Sequence, residues 1–329
     1  MKPTARTARK LLAGSLLAGT VFGGLLLSGT DAAAADGHGR PSSYQLAGDP
    51  AGSKFEGIGA DQRRGRFYVS ETTGGEIHRG HVRTAETREW LAGDGHDGRY
   101  TARGITVDDD GRIYIAGGPN GIDHPGRPDL WVYSAEGELL AALRAPGADV
   151  FLNDVTIGPD GAAYFTNSND PQLIRVAADG DGWKASLWSD AGDVVDRQPG
   201  FNLGGIELTA DRSAFVVAQG NTGRLWRFDL GSRAASEVSA GDPDLTNADG
   251  LVRQGNRLTV VQNFSRQLAT LRLSADGSRA VLLTQRATDP DRVLTTAAEL
   301  RGRILYLDSK FDEDPATGPY EVITDPLSR

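Results

Sequence analysis

From residue 55 onward the chain is a succession of short runs in which apolar and polar residues alternate, parted by clusters of Asp, Gly and Asn. A period of two predicts strands with one face buried, and the Asp-Gly and Gly-Asn pairs between runs suit the positive backbone angles of tight hairpins. The runs repeat as a phrase. A polar step opens each copy, usually with glycine; an apolar alternation follows, then a turn, then a second alternating run. Three copies are Phe55-Glu56-Gly57-Ile58 through Arg63-Arg64-Gly65 to Phe67-Tyr68-Val69, Arg103-Gly104-Ile105 through Asp109-Asp110-Gly111 to Ile113-Tyr114-Ile115, and Asn153-Asp154-Val155 through Pro159-Asp160-Gly161 to Ala163-Tyr164-Phe165. The others are Gly204-Gly205-Ile206 with Phe215-Val216-Val217, Asp249-Gly250-Leu251 with Leu258-Thr259-Val260, and Thr295-Thr296-Ala297 with Ile304-Leu305-Tyr306. Marked at the start of each polar step, the copies stand at 56, 103, 153, 204, 249 and 295, separated by 47, 50, 51, 45 and 46 residues.

Each copy continues with a third and a fourth β-like run, such as Leu130-Trp131-Val132-Tyr133 and Ser186-Leu187-Trp188. Four strands per copy at this period predict an all-β, six-bladed β-propeller with four-stranded blades. The last copy runs out after Tyr320-Glu321-Val322-Ile323, so Ser43-Tyr44-Gln45-Leu46 is expected to supply its fourth strand and close the ring. No linker interrupts residues 36–329, which are expected to form one domain.

The first 35 residues follow another rule. Lys2, Arg6, Arg9 and Lys10 precede an uncharged apolar run from Leu11 to Ser28, and the small residues Ala33 and Ala35 follow. This is the layout of a secretory signal peptide over residues 1–35, and it predicts an exported, extracellular protein starting near Asp36 and free of the membrane after cleavage. Composition narrows the chemistry. Glycine numbers 43 of 329, consistent with a turn-dense β protein. The absence of cysteine removes disulfides, thiolate metal sites and a cysteine nucleophile, so any metal must be held by oxygen or imidazole. A net charge of −9 without a Lys/Arg stripe argues against nucleic acid. A small molecule is the expected partner and a monomer the expected state.

In a propeller the first strands line the axis, so the six marked positions should converge as a ring of Glu56, Arg103, Asn153, Gly204, Asp249 and Thr295. Glu56, Asn153 and Asp249 offer the hard oxygen donors that suit a divalent cation, with Ca²⁺ first and Mg²⁺, Mn²⁺ or Zn²⁺ as alternatives. Arg103 suits a substrate carboxylate or sugar hydroxyl; equally, it could neutralise Glu56 and Asp249 with no metal present. No phosphate loop, HExxH or GxSxG motif occurs. Gly93, Gly95 and Gly98 fit GxGxxG but lead into a strand, outside the dinucleotide-binding context.

The period, with Glu-Gly in the first copy, Asn-Asp in the third and Asp-Gly in the fifth, resembles the senescence marker protein, regucalcin and gluconolactonase family over nearly the whole expected domain. The resemblance implies an axial divalent metal on Glu56, Asn153 and Asp249, with Asp249 as catalytic carboxylate, and metal-assisted hydrolysis of a lactone or related ester. The family's asparagine in the fourth blade has no match, since Gly204 stands there and Asn202 lies two residues earlier.

Loops opening on the same end should wall the pocket with His96, Asn120, His124, Asn167, Asn202 and Asn263, the two histidines as candidate general acids. The alternative function is a non-catalytic propeller binding a small ligand or a protein on this loop-rich face. Gly204 and Arg103 favour that alternative.

Overall fold

The computed structural model describes residues 39–327; the segment 1–35 expected to be a signal peptide lies outside the described residues. Besides a short 3₁₀ turn at His96–Gly98 and the four-residue helix α1 (Asn120–Asp123), the regular structure of the described residues is entirely β. No helix among the described residues is long and apolar enough to cross a membrane.

The strands group by repeat. The second repeat forms β6 (Ile105–Val107), β7 (Ile113–Ala116), β8 (Leu130–Tyr133) and β9 (Leu139–Leu143). The third forms β10 (Leu152–Ile157), β11 (Ala163–Asn167), β12 (Gln172–Asp179) and β13 (Gly182–Asp190), and the fourth β14 (Leu203–Leu208), β15 (Ala214–Gln219), β16 (Arg224–Asp229) and β17 (Ala235–Glu237). The fifth forms β18 (Ala248–Gln254), β19 (Arg257–Gln262), β20 (Gln267–Leu273) and β21 (Ala280–Ala287). Each of these four repeats is a separate four-stranded sheet.

The first repeat, with β2 (Phe55–Asp61), β3 (Arg66–Glu71), β4 (Ile77–His81) and β5 (Thr84–Leu91), shares an eight-stranded sheet with the last, formed by β22 (Leu294–Leu300), β23 (Arg303–Asp308), β24 (Tyr320–Ile323) and β1 (Ser43–Leu46). Strand β1 pairs antiparallel with β24 from Ser43↔Ile323 to Leu46↔Tyr320, and meets β5 at the single parallel pair Gln45↔Glu86.

First strands neighbour one another in a closed cycle, β2–β6–β10–β14–β18–β22 and back to β2. Glycine makes this approach possible. A Cβ on Gly57 would collide with the Arg103 carbonyl, and one on Gly205 with the Asp249 carbonyl. Both glycines stand one residue after a repeat mark, so the spacing that makes the repeat visible in the sequence also lets the inner strands pack backbone to backbone. The core lies between sheets. Tyr164, Leu173 and Trp188 of the third repeat, for example, interdigitate with Leu203, Phe215 and Trp226 of the fourth. Burial is deepest in second strands such as β7, β11 and β15 and least at the outer strands, where Val281, Leu282 and Leu283 of β21 face solvent.

Candidate functional site

Five of the first-strand pairings break register at the mark, between Phe55 and Ile58, Leu152 and Val155, Leu203 and Ile206, Ala248 and Leu251, and Leu294 and Ala297. Such bulges free two residues from the ladder and re-aim their side chains. In the second repeat β6 begins only at Ile105, and Arg103 and Gly104 continue the pairing through Arg103 N to Ala116 O at 2.7 Å and Ala116 N to Gly104 O at 2.8 Å. The marked residues therefore leave the sheets together, at one end of the axis.

Glu56, Arg103, Asn153, Gly204 and Asp249 line one cavity of about 380 Å³. Thr295, expected in the same ring, does not line it. Its buried hydroxyl donates to the Glu56 carbonyl at 3.0 Å and so joins the last repeat to the first. Arg103 is fixed from three sides: Nη1 donates to Glu56 Oε2, Nε donates to the Gly118 carbonyl, and the guanidinium lies 4.3 Å from the Phe151 ring centroid. Asp249 Oδ2 accepts from Asn263 Nδ2 at 2.7 Å. The Asn153 side chain lines the cavity with no hydrogen bond among the described residues.

Glu56 pairs with the guanidinium directly while Asp249 feels its charge only weakly, and their proton affinities reflect it. Burial raises the Glu56 carboxyl while Arg103 draws it back. Burial also holds Asp249 well above the usual carboxylate range, and the charge of Glu56 adds to the rise while Asn263 opposes it. The floor is short of positive charge. Three oxygen-bearing side chains face one space, one of them unpartnered, so the donor set fits a hard divalent cation held by Glu56, Asn153 and Asp249.

Of the expected pocket residues, Asn202 and Asn263 line the cavity. Asn202 does so from a buried position, its oxygen accepting from Gln198 N at 2.9 Å and its amide donating to the carbonyls of Ser168, Gln198 and Gly200. Those bonds leave it a staple of the β13–β14 connection and remove it as a substitute for the missing fourth amide. His96, Asn120, His124 and Asn167 do not line the cavity, a correction to the expected wall. Asn120 is buried and ties Tyr100 N, the Gly98 carbonyl and the Pro128 carbonyl together. Asn167 accepts from Phe151 N and Asn169 N. His124 stacks on Tyr100 with ring centroids 3.8 Å apart, and His96 is exposed beside Asp97.

The walls come instead from the connections around β14–β18 and the outer turns of the first and last repeats. Asn221 and Asn247 add amides, while Phe201, Phe264 and Phe311 form an aromatic rim, the first two 61% and 52% exposed. Phe201 packs on Phe151 at 5.1 Å, which continues the stack that begins at Arg103. These aromatics sit in irregular connections where no periodicity marks them. Asp154 was the legible omission: it occupies the place after the mark where four other repeats carry glycine. Its carboxylate accepts from Val155 N at 2.8 Å and from Ile206 N of the next repeat at 3.1 Å, and burial pushes it up to about 7.

With this geometry in hand, comparison with solved structures is decisive for the architecture. A gluconolactonase from Xanthomonas campestris superposes with a TM-score of 0.58 at 16% identity, over 84% of this chain and 87% of that one. The calcium-binding protein regucalcin from Agrobacterium tumefaciens gives 0.55 at 18% identity, over 87% and 98%. The fold is a β-propeller. A virginiamycin B lyase from Staphylococcus aureus superposes on the same propeller at 0.58 and 15% identity, over 80% of each chain. Neither a protein-family model nor a curated protein sequence matches the chain.

Proposed function

We propose that this propeller is an exported, monomeric hydrolase of lactones or related esters that works with a divalent cation, Ca²⁺ first, on Glu56, Asn153 and Asp249. Its blades number six, with the eight-stranded sheet counted as two joined at Gln45↔Glu86. The observation that carries this reading is the floor itself, where the buried Glu56, paired with Arg103, the half-buried Asp249 and an unpartnered Asn153 amide line one cavity from the bulges of the first, third and fifth repeats. The likeness to a gluconolactonase and a calcium-binding regucalcin supports it.

When bound, the cation supplies Lewis acidity at the ester carbonyl and a more acidic water. The chain supplies the rest. Asp249, raised by its surroundings and oriented by Asn263, is placed to take a proton from the attacking water. Arg103, held by Gly118 and Phe151, offers a fixed cation to a ring oxygen or carboxylate of the substrate. Phe201 and Phe264 give an apolar ring or acyl group a surface and shield the floor from bulk water. A screen of γ- and δ-lactones and aryl esters, with and without chelator, tests the reading. Turnover that chelator and Asp249→Asn both abolish is expected; turnover indifferent to both would refute it.

A second reading is favoured by the Arg103–Glu56 ion pair and by Gly204 in place of a fourth amide. In it the cavity is a metal-free receptor for a small amphiphilic ligand, and Asp249→Asn leaves ligand binding largely intact.

A further inference from the structure

We infer that Asp49, Glu71 and Glu76 form a second cation site, built for Ca²⁺ and separate from the axial cavity. Asp49 lies in the β1–β2 connection, Glu71 ends β3 and Glu76 immediately precedes β4. One carboxylate oxygen from each lies within 4.8 Å of the others. Among the described residues no Lys or Arg pairs with any of the three, and the sole ion-pair contact is His78 Nε2 to Glu71 Oε2 at 3.2 Å.

Glu76 provides the independent sign of a ligand. It is 8% exposed, and its Oε2 is buried without a hydrogen-bond partner. A buried carboxylate oxygen left in that state is costly, yet the surroundings are shaped to keep it there. Gly74 and Gly93 cradle the carboxylate so closely that a Cβ on either would collide with it. Glu71 is held in the manner of a ligand carboxylate, with one oxygen accepting from Thr73 Oγ1 and the other facing His78. Asp49 is exposed and gives the ion a route in.

Three hard oxygen donors, three negative charges and one side open to water match the coordination habits of Ca²⁺, which accepts irregular shells of carboxylates and waters. A softer ion would want the imidazole, which is turned to Glu71. Bound there, the ion would pin the β1–β2 connection to the β3–β4 hairpin. Since β1 is the strand that pairs with β24, the ion would fasten the closure of the ring.

The test removes the axial site first. Calcium titration and thermal melting are carried out on Glu56→Gln, then on Glu56→Gln with Glu76→Gln, and on Glu56→Gln with Asp49→Asn. Glu56→Gln should retain one saturable Ca²⁺ site and melt higher with Ca²⁺. Adding Glu76→Gln should abolish both responses while raising the melting temperature in chelator, because one repelling charge is gone. Asp49→Asn, at an exposed position that folding tolerates, should weaken binding at least tenfold. A Ca²⁺ response unchanged by either substitution, or no response in Glu56→Gln, would overturn the site. Neither result depends on the catalytic reading of the axial cavity.

Discussion

On one side of the channel's narrow waist, Glu56, paired with Arg103, and Asp249 open into the cavity of about 380 Å³; on the other, Asp154, Glu207 and Glu299 face a space of about 240 Å³ with Arg253 in its wall. The inventories are similar, carboxylates around one arginine with Glu299 a third acid in the smaller space, but the bonds differ. In the larger cavity the arginine bonds the carboxylate directly. In the smaller one the carboxylates bond the backbone of the next repeat, Asp154 to Ile206 N at 3.1 Å and Glu207 to Arg253 N at 3.2 Å, while the Arg253 guanidinium donates to the carbonyls of Leu208 and Gly255. Carboxylates that satisfy neighbouring strands are consumed in holding the ring, whereas those left facing the larger cavity can serve a ligand.

The largest effect separating the two halves is kinetic. Asp249→Asn should lower kcat/KM for a lactone by about 10²- to 10⁴-fold, the scale of a lost general base, while Glu207→Gln leaves it within about twofold; equal losses would erase the distinction. Next is Arg103→Ala, which strands Glu56. It should cost about 3 kcal/mol of stability in chelator, measured by urea unfolding, and less in Ca²⁺ if the ion takes over the neutralising role.

Third comes pH. Burial pushes Glu207 up to about 7, so the folded protein holds that proton more tightly than the unfolded chain does. The folded state therefore binds more protons between the ordinary glutamate value and about 7, and its stability falls as pH rises through that window. Glu207→Gln should flatten this fall and gain on the order of 2 kcal/mol at pH 8 relative to pH 4; a slope identical to wild type would contradict the assignment. The smallest effect is Phe264→Ala, half-exposed at the rim, which should leave unfolding unchanged and weaken an aryl or acyl ester substrate about fivefold through KM.

The inner strands were legible because one physical demand wrote them. Close backbone approach requires glycine after the mark, and Gly57, Gly104, Gly205 and Gly250 supply it, so the marks at 56, 103, 204 and 249 could be found by eye. The pairing of Ser43–Leu46 with Tyr320–Ile323 followed from counting strands in the last copy. The cavity walls obey no period. His96, His124, Asn120 and Asn167 sit in connections whose paths depend on contacts elsewhere, the Tyr100 ring for His124 and three distant backbone groups for Asn120. Asn202 lay close enough in sequence to suggest a ligand, but its amide is committed to the backbone around it. Phe201 and Phe264 carried no signal, since an exposed aromatic in a loop looks like any other until the cavity beside it is seen.

That a divalent cation belongs on the axis is most directly tested by calorimetric titration of Ca²⁺ into chelator-stripped Glu76→Gln protein, in which the Asp49–Glu71–Glu76 site is disabled, with Glu56→Gln introduced into the same background as the control. One saturable site that disappears with Glu56→Gln is the expected result. No heat of binding in Glu76→Gln, or a site that survives Glu56→Gln unchanged, would contradict an axial metal and leave Arg103 as the permanent counter-charge of the floor.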